Sequence, residues 1–223
     1  MGGEGSRPRF VDLLDPSTRE QLEARGRRVT FQAASTLLHQ GEPGDRVLLI
    51  EAGHAKVTFA RPDGRATLLR LCGPGDLVGE LSVLDDEPRS STVSALEPVD
   101  AVVLAGREFL AALNEHPALG VALLRDLSRR FRDANLKRIE FGASDAVGRV
   151  AGRLLELAEM FGQPADGAIE VPLPISQEEL AGWCGCSREA VVKALHTLRE
   201  LSWIETGRKR VTIVNANALA ARL

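Results

Sequence analysis

The sequence predicts an α+β chain in three parts: an N-terminal antiparallel β-roll, one long helix, and a C-terminal winged helix-turn-helix. Three observations carry that prediction. Between Val29 and Leu104 short β-type runs alternate with Gly- and Pro-bearing turns. From Pro117 to Gly142 a helical pattern runs without a breaker. Between Ser176 and His196 two capped helices meet at Gly185.

The β-roll rests on Val47–Glu51, Ala55–Ala60, Thr67–Leu71, Ser91–Ala95 and Asp100–Leu104. Gly41-Glu42-Pro43-Gly44, Pro62-Asp63-Gly64 and Gly73-Pro74-Gly75-Asp76 separate them, with Gly supplying positive φ and Pro pre-setting the turn. Regular strand-turn spacing of this kind closes into a roll or barrel. With flanking helices, one of them at Arg107–Leu113, this domain is expected over residues 10–116.

The long helix is expected over residues 117–142, with Pro117 tolerated in its first turn. Leu124, Leu127, Phe131 and Ala134 recur at spacings of three, four and three, and Phe141 continues the series. One helix cannot bury such a seam against itself, so it predicts a homodimer. Leu119, Leu123, Leu136 and Ile139 on neighbouring positions are expected to pack on the helix's own β-domain. Gly142-Ala143-Ser144-Asp145 then breaks the helix and supplies an N-cap, Ser144 or Asp145, for a helix over Val147–Met160. The third domain is expected over residues 143–223, with a loop at Gly162–Gly167 and a short strand at Ile169–Val171.

In that domain Ser176 and Glu179 form a capping box, Gly185 suits the left-handed turn between two helices, and Ser187 caps the second. Leu180, Cys184, Val191, Ala194, Leu195 and Leu198 supply the apolar wedge. The first residues of the second helix of such a unit face the major groove, which makes Arg188, Glu189 and Lys193 base-reading candidates. Arg can bond guanine bidentately, and Glu can accept from cytosine. Ser176, Gln177 and Ser187 are placed for phosphate. Trp203–Thr206 and Val211–Val214 flank Gly207-Arg208-Lys209-Arg210, a hairpin whose Arg208 and Lys209 would grip the DNA backbone.

Composition bounds the reading. The 223 residues suffice for two domains with their own cores. A net charge of −3 gives no whole-chain signal for nucleic acid, so DNA contact must be local. Three cysteines without an apolar leader point to a reducing cytoplasm, and no apolar stretch is long enough to span a membrane. Met1–Arg9 are expected to be disordered.

Two further motifs, Gly79-Glu80-Leu81-Ser82 with Pro88-Arg89-Ser90-Ser91, and Gly185-Cys186-Ser187-Arg188-Glu189, resemble the cAMP receptor protein/FNR family of transcription regulators. The resemblance runs from about Phe31 to Ile213 and is strongest to the cAMP-receptor branch. It implies a β-roll of the cyclic-nucleotide-binding type whose effector is cAMP or another cyclic nucleotide. It also implies a double-stranded palindromic DNA operator, a homodimer, and RNA polymerase as a partner. Arg89 would hold the phosphate with Ser90 and nearby amides, Glu80 would accept the ribose 2′-OH, and Gly79 would let the backbone approach beside Leu81. Leu69 and Cys72 would touch the base. Relatives that respond to cAMP carry a hydroxyl residue followed by a polar one on the long helix. Here the pair is Ala134-Asn135, and only Asn135 can hydrogen-bond a base edge, from its own or the opposite protomer. Arg70 stands where relatives often carry a small polar residue.

The chemistry agrees with the resemblance, because an arginine fork and turn amides suit a small phosphodiester anion. A plain alternative is that Glu80 and Arg89 form a loop-pinning salt bridge. The implied mechanism has the effector alter the long helix around Phe131–Phe141, with a hinge at Gly142–Asp145 turning the DNA domains. Rival functions are an effector-free regulator, a redox or metal sensor, and an enzyme. The cysteines, Cys72, Cys184 and Cys186, are too few for a four-thiolate cluster. His39, His54, His116 and His196 lack ligand spacing, and no nucleophile-base set occurs, so neither a metal nor catalysis is expected.

Overall fold

A computed structural model of the chain describes residues 8–222, in two compact units that divide at Asp133/Ala134. The disorder expected for Met1–Arg9 mostly lies outside the described residues. Arg9 itself is ordered: its backbone N–H donates to Asp12 at 2.7 Å and its guanidinium to Asp76 at 3.1 Å.

In the first unit a 3-10 turn (Phe10–Leu13) leads to α1 (Pro16–Ala24), whose N-cap Asp15 accepts the Thr18 amide at 3.0 Å. Eight strands follow: β1 (Arg27–Phe31), β2 (Thr36–Leu38), β3 (Arg46–Ala52), β4 (Ala55–Ala60), β5 (Ala66–Cys72), β6 (Leu77–Val78), β7 (Thr92–Ala95) and β8 (Val99–Ala105). A short helix, α2 (Leu81–Leu84), interrupts them, and α3 (Gly106–Glu115) and α4 (Pro117–Ala143) close the series. The strands form two antiparallel sheets, ordered β1-β8-β3-β6 and β2-β7-β4-β5. All five expected strands are present to within a residue at each end. The polar β1 and the very short β2 and β6 lack a readable alternation, and exist because neighbours pair with them.

The apolar run Val47-Leu48-Leu49-Ile50 shows why the roll needs its helices. Alternate residues of a strand face opposite ways. Leu48 and Ile50 join a core with Leu37, Val57, Cys72 and Val93 between the sheets. Val47 and Leu49 join a second core with Phe10, Leu22, Phe109, Leu119 and Leu123 under the helices. Both faces of β3 are therefore covered, and burial of each such side chain contributes about 1.5–3 kcal/mol.

Along α4, Leu119, Ala122 and Leu123 are buried and Leu127 packs partly against the same core, whereas Leu124 and Phe131 are 66% and 68% exposed. Leu136 and Ile139, expected on the β-domain, are instead exposed, because they lie on a different face of the helix from Leu119 and Leu123. The helix also runs through Gly142 to Ala143, so the expected break narrows to Ser144 and Asp145. An isolated glycine costs a helix only about 1 kcal/mol, too little to end this one.

The second unit contains α5 (Ala146–Phe161), capped by Asp145, whose side chain accepts the Gly148 amide at 2.8 Å. Next come β9 (Gln163–Ala165) and β10 (Ala168–Pro172), then α6 (Gln177–Cys184), α7 (Arg188–Glu200), β11 (Ile204–Gly207), β12 (Arg210–Ile213) and α8 (Ala216–Ala220). Its sheet is ordered β11-β12-β10-β9. The expected loop at Gly162–Gly167 is half strand. Asp166 and Gly167, both at positive φ, make a tight hairpin between β9 and β10.

Candidate functional site

In the β-roll the structure brings Gly79, Ser82 and Arg89 together. Gly79 ends β6 at φ +85°, and a β-carbon there would stand 2.8 Å from Arg89 Nη1 and 2.6 Å from Leu38 Cδ1. Only glycine lets the backbone come this close to the guanidinium. Arg89 is buried, and four groups accept from it: Gly79 O at 2.6 Å, Ser82 Oγ at 3.0 Å, Arg46 O at 2.7 Å and Asp45 Oδ1 at 3.2 Å. Burial pulls its pKa below the usual arginine value, and the Asp45 carboxylate opposes that shift. A fixed cationic fork results, with an exposed carboxylate as its counter-charge. Beside it α2 begins at Leu81, and the first amides of a helix have no carbonyl partner within it. Ser90 and Leu81 are exposed at the rim.

Glu80 is buried but does not pair with Arg89, so the plain alternative of a Glu80–Arg89 bridge is excluded. Its Oε1 accepts from Arg130 Nη1 at 2.7 Å, and Arg130 also bonds Leu77 O at 2.8 Å and pairs with Asp126 at 2.5 Å. Arg129 holds the other oxygen of Asp126 at 2.9 Å. Arg70 lies in the same field, drawn by Asp76, Glu80 and Asp126, with its Nη2 3.5 Å from Leu77 O. Sequence reading missed Asp45, Asp126 and Arg130. The Asp126/Arg130 spacing of four on one helix face was the available signal.

The residues expected at the base, Leu69, Cys72 and Asn135, fall in both units. Leu69 is exposed, but Cys72 is buried between the sheets, its thiol donating to Ala55 O at 3.4 Å. Alternation along β5 turns Cys72 inward. Ala134 and Asn135 are exposed on α4, in the second unit.

In the helix-turn-helix, Ser176 and Glu179 form the reciprocal capping box, Gly185 takes φ +60° and Ser187 accepts the Ala190 amide at 3.2 Å. The turn is tight: a β-carbon on Gly185 would stand 2.8 Å from the Phe141 ring. Leu180, Cys184, Val191, Ala194, Leu195 and Leu198 are all buried, which leaves Arg188, Glu189 and Lys193 on the outer face of α7. Ser176 and Gln177 open α6 and are exposed. Arg208 and Lys209 form the tip of the β11–β12 hairpin, where Lys209 has φ +56°. Arg210 is tied to Glu170 at 3.3 Å.

Burial pushes the Cys72 thiol up to about 11 and the Cys184 thiol up to about 12. Such thiols are protonated at neutral pH and are poor nucleophiles. Among the described residues, no three His, Cys, Asp or Glu side chains cluster to hold a metal ion. No helix among them is long and apolar enough to cross a membrane.

A β-roll with a buried arginine fork, followed by a capped helix-turn-helix and a hairpin with a basic tip, defines a two-domain transcription regulator. The comparisons agree. Residues 28–116 match the cyclic nucleotide-binding domain, and residues 148–222 match the Crp-like helix-turn-helix domain. The chain is 37% identical over 209 residues to the CRP-like cAMP-activated global transcriptional regulator of Mycobacterium tuberculosis, covering 94% of this chain and 93% of that one. It is 30% identical over 215 residues to the cyclic AMP receptor protein of Thermus thermophilus, covering 96% and 93%. Among solved structures, a CRP-family transcriptional regulator from Thermus thermophilus superposes with a TM-score of 0.73 at 28% identity, over 87% of this chain and 95% of that one. The chain belongs to the CRP/FNR family of transcription regulators, whose members bind DNA through this helix-turn-helix.

Proposed function

We propose that this chain is a cytoplasmic, homodimeric regulator that reads a palindromic operator under the control of a cyclic nucleotide, with cAMP the first candidate. The observation that carries the effector is the buried Arg89 fork under Gly79. A cyclic phosphate is a monoanion that Arg89 and the first amides of α2 would hold, replacing Asp45 as counter-charge. Glu80, oriented by Arg130, has a second carboxylate oxygen to offer a ribose hydroxyl. The names of the relatives, cAMP-activated regulator and cyclic AMP receptor protein, support the same ligand. Calorimetric titration with cAMP and cGMP tests it. Heat from neither nucleotide rejects the effector and favours the second reading, a nucleotide-independent regulator, which the full engagement of Arg89 by protein groups also supports.

Dimerisation rests on the exposed Leu124 and Phe131. Operator half-sites lie about 34 Å apart on one DNA face, so two recognition helices must be held together to bind both. RNA polymerase is the expected further partner. Phe131→Asp is expected to convert the dimer to monomer in sedimentation velocity, with operator affinity falling at least about tenfold as the second half-site is lost. A Phe131→Asp protein that sediments as a dimer places the interface elsewhere.

A further inference from the structure

The exposed face of α7 carries Arg188, Glu189, Lys193, His196, Arg199 and Glu200, and among these charged and polar side chains one aliphatic residue, Val192. Val192 is 46% exposed, whereas the neighbouring Val191, Ala194 and Leu195 turn inward into the wedge. Valine at this position is a poorer choice for the free helix than alanine. Its branched β-carbon loses rotamer freedom in a helix, which costs about half a kcal/mol relative to alanine, and nearly half of its surface remains in water. Arg188 and Glu189 lie four and three residues before it, so on a helix they are its immediate neighbours on the same face. The surface that receives these side chains therefore also receives the two methyl groups of Val192.

We infer that Val192 is a specificity-determining residue that packs against the 5-methyl group of a thymine in each half-site. The inference rests on the DNA-reading function proposed above. The floor of the major groove is lined by hydrogen-bonding edges, and its one apolar feature is the thymine methyl. An aliphatic side chain set between two hydrogen-bonding ones gains there and nowhere else in the groove. Opposite a cytosine amino group or a purine N7 it would desolvate a polar atom without pairing it. Val192 lies about 6 Å along the helix axis from Arg188, or about two base-pair steps. The thymine is therefore expected within about two base pairs of the pair that Arg188 reads.

The test uses the full-length protein, with and without cAMP, to enrich a binding sequence from a random duplex pool. Each thymine of the enriched half-site is then replaced singly by uracil, which removes only the methyl group. For the wild-type protein, one thymine per half-site is expected to lose about fourfold in affinity, the worth of one methyl group withdrawn from water. For Val192→Ala, an exposed substitution whose folding is checked by thermal melting, the same replacement should cost less than about 1.5-fold, with other positions unchanged. Two results overturn the inference: a wild-type protein insensitive to methyl removal at every thymine, or a Val192→Ala protein that loses as much as wild type. A chain that enriches no sequence under either condition overturns the DNA-reading function and this inference with it.

Discussion

Arg89→Lys is expected to weaken cyclic-nucleotide binding at least about a hundredfold while leaving the β-roll folded. The magnitude follows from what the fork supplies. Losing one partner of a buried, hydrogen-bonded charge pair costs about 2–5 kcal/mol, and about 2.7 kcal/mol is a hundredfold. Lysine keeps the positive charge opposite Asp45, but its single ammonium cannot span Gly79 O and Ser82 Oγ on one side and Arg46 O on the other while also meeting a phosphate. Arg89→Ala is the poorer probe, because it strands those acceptors and confuses lost binding with lost stability. Calorimetry with cAMP measures the first effect and thermal melting the second. An Arg89→Lys protein that binds nucleotide as tightly as wild type would remove Arg89 from the site.

How much of this was legible in the sequence depends on how local each feature is. The helix-turn-helix could be read almost whole, because capping boxes, a left-handed glycine and a short apolar wedge are set within a few residues of one another. The strands of the roll were legible where their alternation or apolar run was long enough, as in β3. β1, with its Arg27-Arg28 start, was not, because only its pairing with β8 makes it a strand. The fork was half legible. Arg89 and Gly79 announce themselves, but Asp45 lies 44 residues from Arg89 and Arg130 lies 50 residues from Glu80, and no local pattern encodes contacts so distant. The burial of Cys72 between the sheets was hard to read for a related reason. Whether a strand residue faces a ligand or the inter-sheet core is decided by register, and a one-residue slip exchanges the two faces. Val192 was passed over because one apolar residue left outside the wedge carries no local signal of what it meets.

The second unit holds the other large expected effect, and there the sign is less obvious than the size. Arg153 on α5 is buried and pairs with Glu140 on α4 at 2.5 Å and with Glu156. Lys137 also reaches Glu156, at 3.1 Å, and both cations stand over the Trp183 ring of α6, at 5.3 Å for Lys137 and 5.6 Å for Arg153. The cluster ties the last turns of α4 to α5 and to the first helix of the helix-turn-helix. These contacts flank Ser144–Asp145, within the Gly142–Asp145 segment where the sequence places the hinge. The cluster's worth is nonetheless limited, since desolvating a guanidinium offsets much of what its partners return. The Arg153 Nε and Trp183 Nε1 hydrogens find no acceptor among the described residues, which lowers it further. Removing the arginine is therefore a different perturbation from replacing it. Arg153→Ala opens a cavity under Trp183 and leaves Glu140 with no cation, and is expected to destabilise the unit by about 3 kcal/mol. Arg153→Met fills the same space without a charge to desolvate, and the third-exposed Glu140 and Glu156 side chains can rehydrate, so it is expected to cost about 1 kcal/mol or less. The chain's two tryptophans, Trp183 and Trp203, both lie in this unit, so urea unfolding followed by their fluorescence reads its stability without interference from the β-roll. Equal losses for the two variants would mean that the ion pairs, rather than the packing around Trp183, hold these helices together.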